Sequence, residues 1–116
     1  MSNHANDAAV IDRRALMRGL DERRQMQLVF GGGKPRIVQP HAILKKGDGT
    51  EILQAYQLHG QTEKGSEKGW KHFELAKLSE VDLLPDYFQP RRDFRPQNSA
   101  SATVIASVRL DGAIKT

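Results

Sequence analysis

The sequence predicts a mainly β fold: a meander of five strands curled into a small barrel, with one short α-helix ahead of it and a β-rich stretch behind it. Three observations carry this. Between Val38 and Leu75, Leu53, Ala55 and Gln57 are opposed to Ile52, Gln54, Tyr56 and Leu58, and Lys71, Phe73 and Leu75 to Trp70, His72 and Glu74. That two-residue period belongs to half-buried strands. Gly31-Gly32-Gly33 and Gly47-Asp48-Gly49 punctuate the runs, and such residues supply the positive φ that tight reversals need. Pro40 interrupts an otherwise strand-like segment; having no N–H to donate, it predicts an edge or a bulge, and bulges bend the strands of small closed sheets.

With 116 residues the chain can build one core, because a domain of this size buries roughly two thirds of the surface its unfolded form exposes. Residues 1–23 read as a tail and helix, 24–88 as the barrel, and 89–116 as a basic linker with a C-terminal strand. No apolar run is long enough to span a membrane, and the start MSNHANDAAV has neither a basic region nor an apolar core. The expectation is a cytoplasmic protein with no membrane partner. Cysteine is absent, which removes disulfides, thiolate metal sites and cysteine nucleophiles together. Eighteen Lys+Arg against fourteen Asp+Glu give a net charge of +4, mild for a nucleic-acid binder, so the distribution matters more than the total. Arginines gather at 13, 14, 18, 23 and 24 and again at 91, 92 and 95.

Taken in order, Asp7 offers an N-cap, and Ile11, Ala15, Leu16 and Leu20 follow at helical spacing, with Arg13, Arg14, Arg18 and Asp21 mostly elsewhere on the wheel. This helix is expected to cap an open barrel end; a basic helix lying on nucleic acid is the alternative, weakened by the interleaved acids. Gln25 to Phe30 alternate, with Met26, Leu28 and Phe30 on one face. A second strand spans Pro35 to Leu44, with His41 where the chain changes direction. Asp48-Gly49 marks a hairpin into the third strand. Trp70 opens the fourth. Leu78, Val81 and Leu83 supply a fifth that Pro85 is expected to stop, with Tyr87 and Phe88 folding back on the barrel. The stretch PRRDFRPQNSASA reads as a linker, and TVIASVRL as a strand that either closes this sheet's edge or adds to a neighbour's.

Most motifs lead away from catalysis. Gly31-Gly32-Gly33-Lys34 lacks the glycine at 28 and the Ser or Thr at 35 of a phosphate loop; Leu28 and Pro35 stand there. His4, His41, His59 and His72 are dispersed, without the spacing of metal ligands. The serines lack a nucleophile elbow, and Glu63 and Glu67 lie in a Gly-rich loop unsuited to fixed catalytic geometry. The reading is therefore non-enzymatic, with no cofactor. One constellation remains: Tyr56, Gln57, His59, Trp70, Lys71, Phe73 and Lys77 lie on or beside two strands that a meander makes adjacent. Rings stack bases and cations hold phosphates, as in many small barrels that bind nucleotides or single strands. The bland alternative is that Tyr56 and Trp70 only cover the barrel, since such rings bury large area anywhere.

The residues Pro40-His41-Ala42-Ile43-Leu44, Leu53-Gln54-Ala55-Tyr56-Gln57 and Trp70-Lys71-His72-Phe73-Glu74-Leu75-Ala76-Lys77-Leu78 resemble the core of WYL domains, small barrels of the Sm/SH3-like kind found mainly in bacterial regulators. The resemblance covers residues 24–88. Glu51-Ile52-Leu53 stands where the family has Trp-Tyr-Leu, and Lys71 and Lys77 stand in the strand that usually carries arginines; Lys is a point charge where Arg offers a planar fork. The resemblance implies a ligand-sensing or nucleic-acid-binding module that serves in transcription regulation. Its anionic ligand, a nucleotide or single-stranded nucleic acid, would lie on a basic aromatic sheet face with Arg36, His41, Tyr56, Gln57, His59, Trp70, Lys71 and Lys77 as contacts. About twenty residues precede the first strand, too few for a two-helix DNA reader, so regulation is expected to run through a partner regulatory protein or through the barrel itself. The competing expectation is an interaction module that forms a homodimer through edge strands.

Overall fold

The computed structural model describes residues 13–60, 68–94 and 102–110. Helix α1 (Arg13–Glu22) leads into β1 (Arg24–Phe30), β2 (Arg36–Lys46), β3 (Glu51–His59), β4 (Gly69–Glu74), β5 (Leu78–Tyr87) and β6 (Ala102–Ser107). All six strands join one antiparallel sheet in the order β4-β3-β2-β1-β5, with β6 pairing on β2 off that path. The predicted mainly β meander is what the chain builds.

Turn chemistry sets the hairpins. Between β2 and β3 the Lys46 N–H donates to Thr50 O at 2.8 Å and the Gly49 N–H to Lys46 O at 2.9 Å, while the Asp48 carboxylate accepts the Thr50 N–H at 2.9 Å. Gly49 takes φ 92°, a conformation that favours glycine. Pro40 marks a bulge, as its missing donor predicts: pairing passes from Pro40↔Ala55 to Ala42↔Gln54, leaving His41 as the extra residue. The bulge bends β2, whose first half pairs with β1 and whose second half pairs with β6.

Two expectations need correction. The sheet curls but does not close, because no ladder joins β4 to β5 among the described residues. A 3-10 turn, Leu75–Lys77, carries the chain from β4 to the far end of the strand order, where Leu78 pairs with Phe30 and the Gly31 N–H donates to Lys77 O at 2.9 Å. Nor does Pro85 stop β5, which runs on to Tyr87. β5 ends the strand order, and its register against β1 slips between Met26↔Leu83 and Arg24↔Tyr87, so Pro85 lies in an irregular stretch of an edge strand where no ladder donor is required. Of the two aromatic residues that follow, Phe88 is buried and Tyr87 is 40% exposed.

Leu16 and Leu20 of α1 join Met26, Leu28, Val38, Ile43, Leu53, Phe73, Leu75 and Leu78 in the core. The helix lies against β1, β2, β5 and β6. Gly19 sits at this contact: a Cβ there would stand 2.6 Å from Met26 Cε and 3.3 Å from Leu83 Cδ2, so the Met26 side chain would have to shift. Arg18 pairs with Glu22 at 3.1 Å, Glu22 also takes Arg24 at 3.2 Å, and Arg13 pairs with Glu51. The helical Arg13 and Arg18 are thus each paired with a carboxylate. Asp7 and Ile11, expected at the start of this helix, lie outside the described residues, as does His4.

Candidate ligand-binding site

The strand pleat divides the predicted contacts between two faces. On β3 the buried residues are Leu53, Ala55 and Gln57, and across from them on β4 stand Phe73, Lys71 and Gly69; Tyr56 pairs with Trp70 on the opposite face. Trp70 and Lys71 are neighbours in sequence and therefore point to opposite sides. The single groove expected to combine Tyr56 and Trp70 with Lys71 is absent.

On the face of Phe73, Arg36 is held in place from several sides. Gln57 is fully buried; its amide donates to Gly60 O at 2.9 Å and its carbonyl accepts Arg36 Nη1 at 3.2 Å. Gly60 has φ 119°, and a Cβ there would lie 2.9–3.0 Å from Arg36, so glycine makes room for the arginine stem. The guanidinium carbon lies 5.7 Å from the Phe30 ring centre and 5.5 Å from that of Phe73, and the two rings meet edge-on at 5.1 Å. Arg36 Nε is sealed from solvent without a hydrogen-bond partner. Among the described residues Nη2 makes no hydrogen bond and no carboxylate pairs with Arg36 or Lys71. A partly buried cation without a counter-ion is costly, so this end of the sheet favours the arrival of an anion. Lys71 leaves β4 on the Phe73 side, about 7 Å along the strand. His59 is exposed at the end of β3, opposite Ile37. Lys77 is exposed in the 3-10 turn and already paired with Glu74 at 3.2 Å.

On the other face, His41 is an interior residue and not a ligand contact. It is 0% exposed, its ring centred 4.8 Å from Trp70, 5.0 Å from Phe94 and 5.3 Å from Phe88. Both nitrogens are used: Nδ1–H donates to Gln39 O at 2.9 Å and Nε2 accepts the Arg91 N–H at 3.1 Å. Burial pushes the ring down to about 4, with the Arg91 charge adding to this and the Gln39 carbonyl and Asp93 opposing it. The imidazole is neutral, with its proton on Nδ1. Gln57 is corrected in the same sense, since its amide positions Arg36 from below the surface.

The segment Arg91–Phe94 lies across this second face. The Arg91 guanidinium sits 3.6 Å above the Tyr56 ring, the Trp70 indole N–H donates to the Asp93 carboxylate at 2.9 Å, and Phe94, 3% exposed, stacks on Trp70 at 6.0 Å. That indole N–H holds the Asp93 carboxyl below the usual carboxylate range. Arg91, Asp93 and Phe94 fall in a stretch with the composition of a linker, and the one local sign against that reading is an aromatic residue set among arginines. Compared with known proteins, the chain matches no family model, no curated protein and no solved structure.

Proposed function

We propose that the chain is a non-enzymatic, WYL-like ligand-binding module with a regulatory role in the cytoplasm, and that its ligand is a compact anion such as the phosphate of a nucleotide. Arg36 provides the fork that takes the anion and Lys71 a second charge on the same face, while Gln57 and Gly60 fix the fork in place. One observation carries the reading: a guanidinium held over two aromatic rings, with one amide as its hydrogen-bond partner and no carboxylate among the described residues. Charge-assisted contacts from a pre-positioned Arg are among the stronger anion contacts a protein makes. β6 pairs with β2 of its own chain rather than with a neighbour's, so a homodimer through edge strands would use β4 or β5, which end the strand order. None of the described helices is long and apolar enough to cross a membrane.

The test is fluorescence polarisation with a labelled adenine nucleotide. Binding is expected to weaken with salt, to fall by about tenfold in Arg36→Gln and less in Lys71→Gln, and to stay unchanged in Lys77→Ala. Equal affinity for wild type and Arg36→Gln would remove the reading.

A further inference from the structure

We infer that the Tyr56 ring, with Trp70 beside it, is a second binding face for a stacking planar ligand, the nucleobase of a single-stranded nucleic acid, and that Arg91 and Asp93 of the same chain block it. Tyr56 and Trp70 meet edge-on, 5.6 Å apart and at 89°, as a cross-strand pair. Gln54 and His72 pair next to them on the same face, so an amide and an imidazole flank the rings. What lies on Tyr56 is itself a planar, delocalised group at stacking distance: the Arg91 guanidinium, 3.6 Å from the ring centre. Guanidinium and nucleobase compete for such a ring by the same physics.

Asp93 adds the second element. Its carboxylate, held on Trp70 Nε1 at 2.9 Å, sets a negative charge beside the rings, where it repels a phosphate backbone. The block is weakly held at its outer end. A cation–π contact at a half-buried arginine corresponds to a few-fold in an equilibrium constant, so the Arg91 side chain can swing off Tyr56 while its N–H stays on His41 and Phe94 stays seated against His41 and Trp70 as the pivot. Closed is therefore the resting state, and opening requires no unfolding.

This inference concerns the face opposite Arg36 and does not depend on that site. The test uses the full chain and a labelled oligothymidylate, read by fluorescence anisotropy at low salt, in Arg91→Lys, Arg91→Gln and Asp93→Asn. Relative to wild type these change the net charge by zero, minus one and plus one. All three are expected to tighten binding by about threefold to fivefold, and acrylamide quenching of Trp70, the single tryptophan, is expected to rise in Asp93→Asn. Adding Tyr56→Leu to Arg91→Lys is expected to return the affinity to wild type or below. Thermal midpoints within a few degrees of wild type certify the fold, and Arg91→Lys, the mildest change, decides the matter if another variant fails that check. Affinity that follows net charge, rising in Asp93→Asn and falling in Arg91→Gln, overturns the inference. So does unchanged affinity in Arg91→Lys, or a gain that survives the loss of the Tyr56 ring.

Discussion

Acid should unlock this fold at one residue, His41, before the general protonation of its carboxylates. The groups facing the ring are the Gln39 carbonyl, the Arg91 N–H and charge, Asp93, and the rings of Trp70, Phe88 and Phe94. A proton on Nε2 would meet the Arg91 N–H donor head-on and place a charge among three aromatic rings. The ordinary value of 6.5 is lowered to about 4 in the folded chain, so between those values the unfolded chain binds the proton first. Stability is then complete above pH 6.5 and is lost as the pH falls towards 4. Each pH unit of that window is worth about 1.4 kcal/mol, which gives about 3 kcal/mol across it, a large share of the 5–15 kcal/mol typical of a small domain. Urea denaturation at pH 7, 6, 5 and 4 reads the slope directly, and His41→Gln, which has no proton to take up, should flatten it. A wild-type slope no steeper than that of the variant, or an NMR titration of the His41 ring centred near 6.5, would show that His41 is not the acid-sensitive group.

Gly60→Ala combines a positive φ with a Cβ inside the contact distance of the Arg36 stem; it should destabilise the fold by about 2–3 kcal/mol in urea titrations and weaken nucleotide binding with it. Phe94→Ala empties the pocket against His41 and Trp70, so a loss of about 3 kcal/mol is expected, together with a red shift of Trp70 emission as water reaches the indole. Asp48→Ala removes the carboxylate that accepts the Thr50 N–H, and its expected effect is a small drop in thermal midpoint with unchanged ligand binding.

The strand pattern was legible because it is local. Alternation marks which residues share a face whether or not a partner is known, and Pro40 betrays a bulge because a missing donor disturbs any ladder. Pro85 carries the same chemistry with a different result, since its effect depends on β5 lying at the end of the strand order, which no neighbouring residue reveals. The site was legible in part. The pleat already separated Trp70 from Lys71, but not that Arg91 to Phe94 would cover one face: Trp70 and Asp93 meet from 23 positions apart, and a basic, proline-flanked stretch looks like a linker until something buries its phenylalanine. His41 shows the same limit, because a lone histidine on a strand carries no mark of whether its nitrogens face solvent or are both taken. The family resemblance already names Arg36 as a contact, but Phe30, Phe73 and Gln57, which hold its guanidinium, come around it only on folding.

In the proposed module the cationic fork at Arg36, rather than the aromatic face, receives a small anionic ligand. Nitrogen-15 NMR of the side chains reads both places at once during titration with an adenine nucleotide. The Arg36 Nε–H signal is predicted to shift saturably while the Trp70 indole signal stays where it is. A saturable shift of Trp70 with Arg36 unmoved would put the anion on the aromatic face and rule out the Arg36 site.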